Sequence, residues 1–260
     1  MSGPFITFLS DYGLEDEFVG VCHGVIAGIC PEAHVIDVTH GVPRGDVRAG
    51  ALILSRGLRY LPRGVHLAVV DPSVGSERRG VALRLADGRL LVGPDNGLLS
   101  LAADACGGVV EAVDIGASPF ALEPVSATFH GRDIFAPVAA RLAGGAPLTD
   151  AGAPVDPAAL VALELPRAQV IDGVRGARVV YVDRFGNVQL DVEQPLFEPG
   201  GAFEIAGEPV RYARTFADAG AGELVLYEDS TRRLAVAVNQ GDAAARLGVA
   251  VDDELRIRLP

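Results

Sequence analysis

Apolar and polar positions along the chain fall into two regimes. In the first, short apolar runs alternate with stretches of helical periodicity. Positions 4–9 form an apolar run closed by Ser10-Asp11-Tyr12-Gly13, which predicts a buried strand and a turn carrying a carboxylate. Over 16–30, Phe18, Val19, Cys22, Val25, Ile26 and Ile29 recur at helical spacing until Pro31 stops the pattern. Positions 33–39 alternate as a strand, 47–61 predict a helix with one apolar face, and 65–70 predict a buried strand ending at Asp71. Runs 80–85 and 89–93 predict a hairpin turning at Asp87-Gly88. A helix over 98–105, a strand over 109–115 and a helix over 134–142 follow. Strands alternating with helices predict a layered α/β domain, and the hairpin makes its sheet mixed.

Positions 143–166 are rich in Gly, Ala, Pro and Asp, which predicts a linker or a loosely structured crossover. Beyond Val170 the second regime begins. Short strands are expected over 176–182, 188–192, 201–205, 223–227, 234–238 and 254–259, with turn signals between them. That spacing suggests a small β-barrel or sandwich of about ninety residues. The expected organisation is an N-terminal α/β domain over 1–165 and a C-terminal β-barrel domain over 166–260.

Charge narrows the partners. The 260 residues carry a net charge of -12, so phosphate-backbone binding is not expected, whereas a cationic small molecule fits. All 22 basic groups are arginines, which reads as genomic base composition rather than chemistry. Cys22, Cys30 and Cys106 show no CxxC spacing, and the first two are expected to be core thiols. No basic leader and no membrane-length apolar run is visible, so a soluble cytoplasmic protein without membrane or nucleic-acid partners is expected.

Candidate chemistry emerges by elimination. The chain has no GxSxG elbow, Walker loop, clean GxGxxG after the first strand, or HExxH. His40, Asp71 and His130 are conceivable as a metal set, but five scattered histidines argue for no metal. What remains are polar groups at strand ends: Asp11, Asp16, Asp71, Arg78 and His130, with Asp183-Arg184-Phe185-Gly186-Asn187 in the second half. Each has an ordinary reading as well. Asp16 suits a helix N-cap or first turn, Asp11 and Asp183 suit turns, His130 suits local capping, and Phe185 and Phe216 suit a core.

Taken in order, these segments carry a resemblance. Ser10-Asp11-Tyr12-Gly13 with Asp16, the stretch Asp71-Pro72-Ser73-Val74-Gly75-Ser76-Glu77-Arg78-Arg79, and Pro94-Asp95-Asn96-Gly97-Leu98 come first. Phe129-His130-Gly131-Arg132-Asp133, Asp183-Arg184-Phe185-Gly186-Asn187, Phe216-Ala217-Asp218-Ala219-Gly220 and Ala237-Val238-Asn239 follow. Together they closely resemble the S-adenosylmethionine hydroxide adenosyltransferase family, the water-using relative of the S-adenosylmethionine fluorinase and chlorinase.

The resemblance implies hydrolysis of S-adenosylmethionine to adenosine and L-methionine without a further cofactor. It also implies a homotrimer whose substrate lies between the N-terminal domain of one subunit and the C-terminal domain of its neighbour. By position, Asp71, Arg78 and His130 match the catalytic group, and Asp11 matches the residue on the ribose hydroxyls. Asp16, Asp183 and Ser230 match the methionine amino end. Phe185, Asn187, Phe216, Val238 and Asn239 match the remaining substrate-binding segments, with adenine contacts at Asn187, Phe216 and the backbone near Asn239.

Two other functions compete, a halogenase and a non-catalytic S-adenosylmethionine or adenosine binding module. The halogenases carry a tyrosine where this chain has Asp71, they lack His130, and their long insertion is missing here. A carboxylate is a poor wall for a halide, because like charges in a dry pocket repel. A pure binder has no use for a water-orienting group. One departure concerns binding: the fluorinase arginine beside the methionine carboxylate aligns with Thr231, leaving Arg232 or Arg233 as substitutes. Attack of water at C5′ expels a neutral thioether, so the reaction needs a positioned water and a base rather than an acid. The sequence leaves open whether Asp71 or His130 takes the proton.

Overall fold

A computed structural model describes residues 3–166, 169–171, 174–193 and 202–258. The chain divides into two compact units, Met1–Leu163 and Glu164–Pro260.

The first unit is built on a seven-stranded mixed sheet. Its strands are β1 (Phe5–Ser10), β2 (His34–Thr39), β3 (Val65–Val69), β4 (Gly80–Leu85), β5 (Leu90–Pro94), β6 (Val109–Asp114) and β7 (Ala153–Val155), in the order β2-β1-β3-β5-β4-β6-β7. Strands β2, β1, β3 and β5 pair in parallel, whereas β5-β4, β4-β6 and β6-β7 are antiparallel. The change of direction comes from the β4-β5 hairpin, where Gly88 turns with φ +90. Every residue of β3 is buried, as expected for a central strand covered on both faces. Helices α1 (Phe18–Ile29) and α4 (Ala136–Ala143) join Ile6, Phe8, Leu67 and Phe135 in the main core, while α2 (Val47–Leu58) packs with α3 (Ser100–Ala105). Cys22 and Cys30 are buried as expected, and burial pushes the Cys22 thiol up to about 12.

Two expectations need correction. Helix α1 is capped at Glu17, so Asp16 lies before the cap and is not the N-cap. The 143–166 segment is not a loose linker. It supplies β7 to the sheet edge, and its later part is strapped down by Asp95 Oδ1, which accepts Val161 N–H at 2.9 Å, and by Ser100 Oγ, which accepts Leu163 N–H at 3.0 Å. Arg79 pairs with the other oxygen of the buried Asp95. Side-chain acceptors within the first unit, one of them the buried Asp95, satisfy the backbone of a segment whose composition alone reads as coil.

The second unit is a closed seven-stranded barrel. Strands β9 (Val174–Val182), β10 (Val188–Glu193), β11 (Ala202–Ile205), β12 (Glu208–Ala213), β13 (Leu224–Glu228), β14 (Arg233–Val238) and β15 (Glu254–Arg258) run in the order β9-β10-β14-β13-β12-β11-β15, and β15 returns to β9. β8 (Gln169–Ile171) pairs with the outer side of that seam through β9. Closure removes the free edges that a small sheet would otherwise expose. Val179, Leu190, Ile205, Leu226, Val236 and Ile257 fill the interior. A short helix, α5 (Ala243–Leu247), is capped by Asp242, which accepts Ala245 N–H at 2.8 Å. Among the described residues, no helix is long and apolar enough to cross a membrane.

Candidate active site

Because β1 and β3 run parallel, their carboxyl ends open on the same side of the sheet, the usual position for a ligand crevice. A cleft of about 470 Å3 lies there. The β1 end contributes Asp11, Tyr12 and Asp16, the β3 end contributes Asp71 and Val74, and residues 128–131 contribute His130 with its neighbours.

The Asp71, Arg78 and His130 side chains are in direct contact. Arg78 Nε donates to Asp71 Oδ1 at 2.8 Å and Arg78 Nη2 donates to Asp71 Oδ2, a two-pronged pairing. The same Nη2 donates to His130 Nδ1 at 2.9 Å. The Arg78 and Asp71 side chains are only 9% and 6% exposed, so the pair is shielded from bulk water. Arg78 also stacks over Phe135, with Cζ 5.3 Å from the ring centroid.

The Arg78 contact fixes the state of His130. A guanidinium has no acceptor, so Nδ1 must be the acceptor and carries no proton. Burial and the Arg78 charge both hold the His130 pKa below the ordinary imidazole value, so the ring is neutral and its proton sits on Nε2.

His130 is held in place from behind. It precedes a π-helical turn, Gly131–Phe135, that runs into α4. Asp133 Oδ2 accepts Ser126 N–H at 2.8 Å, and both Asp133 oxygens pair with Arg132. Burial alone would raise the Asp133 pKa, but Arg132 and the Ser126 N–H outweigh it and hold the carboxylate ionised. Gly131 is required here: a Cβ would lie 2.0 Å from the Tyr12 hydroxyl. Burial, with Cys22 and the nearby Asp11 and Asp71 charges, raises the Tyr12 pKa well above its usual value, so the phenol remains neutral. Its ring meets Phe129 edge-on at 5.9 Å.

Asp11 is anchored by one oxygen, Oδ2, which accepts Gly45 N–H at 2.8 Å; Gly45 has φ +71. Tyr12, Phe18, Arg44 and Phe129 also line the cleft, and sequence reasoning did not single them out. Phe18 sits in the apolar face of the predicted helix and reads as core, while Tyr12 and Phe129 stand in segments whose neighbours Asp11 and His130 carried the chemistry. His40 does not join Asp71 and His130 as the sequence allowed; it is turned to Ser10, Asp37 and Phe8.

In the barrel unit, Asp183 organises its own loop. Oδ1 accepts the N–H groups of Phe185 and Asn187 at 2.8 and 3.0 Å, and Oδ2 accepts Asn187 Nδ2 at 2.8 Å. The turn reading of Asp183 therefore holds in its bonding. Phe185 is 68% exposed and Phe216 43% exposed, so neither is a core residue. Phe216 meets Tyr227 edge-on at 4.9 Å. Ser230 is exposed, and Val238 packs in the barrel core. Asn239 spends its backbone N–H on Glu223 O and its side-chain amide on Ala219 O. Thr231 Oγ1 donates to Asp229 Oδ1 at 2.7 Å and accepts from Gln189 at 3.1 Å, so it is committed locally, whereas Arg232 is exposed on a left-handed turn at φ +64.

Comparison with known proteins identifies the family. Residues 6–152 match the SAM hydroxide adenosyltransferase N-terminal domain and residues 177–256 match its C-terminal domain. The chain is 54% identical to an (R)-S-adenosyl-L-methionine hydrolase of Salinispora tropica, over 98% of this chain and 97% of that protein. It is 28% identical to a fluorinase of Actinoplanes sp., over 93% of each. A solved structure of a Thermotoga maritima protein superposes with a TM-score of 0.87 at 35% identity, covering 97% of this chain and 99% of that one. With both domains matched in order and a relative at this identity along nearly its whole length, the chain belongs to the SAM hydroxide adenosyltransferase family.

Proposed function

We propose that the protein hydrolyses S-adenosyl-L-methionine, with water attacking C5′ to give adenosine and L-methionine. The observation that carries this reading is the shielded Asp71–Arg78–His130 contact on the cleft. The new bond joins the water oxygen to C5′, the C5′–S bond breaks, and its electron pair returns to sulfur as a neutral thioether. One proton must leave the water.

The hydrogen-bond pattern supports one destination for that proton. With its proton on Nε2, His130 can donate to the water oxygen but cannot accept from it. Arg78 has no acceptor. Asp71 is therefore the acceptor for the water proton, and His130 fixes the direction of the oxygen lone pairs toward C5′. A donor and an acceptor held by one guanidinium form a rigid seat for water.

Binding roles follow the family resemblance. Asp11 takes the ribose hydroxyls with the oxygen not used by Gly45. Asp16, Asp183 and Ser230 surround the ammonium, Asn187, Phe216 and the backbone near Asn239 form the adenine side, and Phe185 and Val238 belong to the same substrate-binding segments. Arg232, exposed on its turn, is the substitute for the fluorinase arginine at the methionine carboxylate. The acidic surface, net charge -12, favours a substrate carrying a sulfonium and an ammonium. A homotrimer with its sites between subunits, a cytoplasmic location and the absence of a cofactor complete the proposal. The test is to incubate purified protein with S-adenosylmethionine and chloride and follow nucleosides by chromatography. Adenosine with equimolar methionine is expected; binding without turnover, or a 5′-halogenated nucleoside, refutes the reading.

A further inference from the structure

Behind the loop that carries Asp11 and Tyr12, three side chains from three segments converge at the edge of the sheet. His23 lies on α1, Asp37 on the end strand β2, and His40 just past that strand. His23 Nε2 donates to Asp37 Oδ1 at 2.9 Å, and His40 Nε2 lies 3.1 Å from the same oxygen. The three donor atoms lie within 4.8 Å of one another, and no other such group occurs among the described residues.

Two features set this group apart from an ordinary ion pair. The His40 side chain is 2% exposed, yet its Nε2 makes no hydrogen bond. Nε2 comes within 3.1 Å of Asp37 Oδ1 without meeting hydrogen-bond geometry there. A buried ring nitrogen left in that condition calls for a partner. On the other side of the ring, Nδ1 lies 2.7 Å from Ser10 Oγ. An Nδ1–H donated to Ser10 leaves a lone pair on Nε2, the arrangement by which a second-shell oxygen orients a metal-binding imidazole.

We propose that His23, Asp37 and His40 form a binding site for one Zn2+ ion, with its remaining coordination open to solvent. Zinc bonds of about 2.0–2.2 Å in a tetrahedral shell put neighbouring donor atoms about 3.3 Å apart. The 2.9 and 3.1 Å separations from Asp37 need to open by only a few tenths of an ångström, and the two imidazoles, within 4.8 Å of one another, need to close by no more than about 1.5 Å. Two imidazoles and one carboxylate select a borderline first-row cation, since calcium and magnesium call for shells made mostly of oxygen. His23 and Asp37 are 35% and 42% exposed, which gives the ion a path from solvent. Loading requires His23 to turn the lone pair of Nε2 to the ion, with its proton on Nδ1.

The site meets the cleft wall through the backbone, Ser10 and Phe8, whose ring lies against His23, His40 and the cleft-lining Tyr12. Gly13 N–H donates to His40 O at 2.8 Å, and Tyr12 N–H donates to Ser10 Oγ at 3.3 Å. The ion thus ties α1 to β2 behind the cleft wall and takes no part in the reaction.

Equilibrium dialysis of tag-free, chelator-stripped full-length protein against ZnCl2 tests this. One equivalent per chain is expected, with affinity falling more than about tenfold in both His23→Ala and Asp37→Ala. These two side chains are partly exposed, so their loss leaves the fold intact, whereas His40 is buried and is avoided. Co2+ should give visible d–d bands of a low-coordinate site in the wild type that are missing from either variant. Failure to bind stoichiometric Zn2+, or unchanged affinity in either variant, overturns the proposal.

Discussion

Arg78 Nη2 donates to His130 Nδ1 at 2.9 Å while the same guanidinium grips both oxygens of Asp71. This one contact fixes a tautomer, and in the proposed mechanism that tautomer makes His130 a donor and leaves Asp71 as the acceptor.

The fork geometry is therefore more important than the charge. Lysine at position 78 keeps the cation but cannot hold a carboxylate and an imidazole in one plane. Arg78→Lys should lower kcat by at least about a hundredfold with KM changed little, as expected when positioning of the attacking group is lost. Steady-state kinetics decide it, and a rise in KM at unchanged kcat contradicts the assignment.

If His130 serves as a donor, an amide that keeps a donor near the Nε2 position should preserve part of its role. His130→Gln is expected to retain more turnover than His130→Ala. The wild-type acid limb of kcat should lie below pH 6.5, because burial and Arg78 hold the imidazole pKa below its ordinary value of about 6.5. Protonation there would place a second cation against Arg78. The limb assigned to His130 should vanish in His130→Gln. An acid limb above pH 6.5 that moves with His130 would make it the base instead.

Asp11 and Asp71 should separate in kinetics. Asp11→Asn keeps an oxygen for the Gly45 N–H but weakens the grip on a diol, so KM should rise about tenfold or more with kcat largely kept. Asp71→Asn should instead lose kcat with substrate affinity retained. Calorimetric titration alongside turnover gives both quantities, and the opposite split reverses the two roles.

Stability carries its own pH signature at His66. This residue is wholly buried, its Nδ1 lies 2.8 Å from Thr7 Oγ1, and burial with the Arg89 charge lowers its pKa to about 4. A depressed histidine pKa means that the unfolded chain binds the proton first. The contribution is present above pH 6.5 and is lost as pH falls toward 4. Between pH 7 and pH 5 the wild type should lose about 2 kcal/mol more than His66→Asn in denaturant unfolding. Equal losses would show that His66 titrates normally in the folded protein.

Much of this was legible in the chain. Asp71 and Arg78 stand on one short loop after a buried strand, and alternation of strands and helices marks the α/β unit without further information. The barrel strands over 188–192 and 234–238 reappear as β10 and β14 with bounds shifted by one residue. Strand β12 was missed because Pro209 interrupts its alternation, and it survives because Tyr212 and Val210 still point into the barrel. The strap over residues 157–163 was invisible because its stability comes from Asp95 and Ser100, far away in sequence. The His130 tautomer was also hidden, since it depends on which nitrogen meets Arg78.

Hydrolysis in 18O-labelled water tests the central claim most directly. Mass spectrometry of the products should place one 18O in the 5′-hydroxyl of adenosine and none in methionine, with Asp71→Asn forming little of either product. Unlabelled adenosine, label in methionine, or a nucleoside bearing halide in place of oxygen would contradict attack of water at C5′.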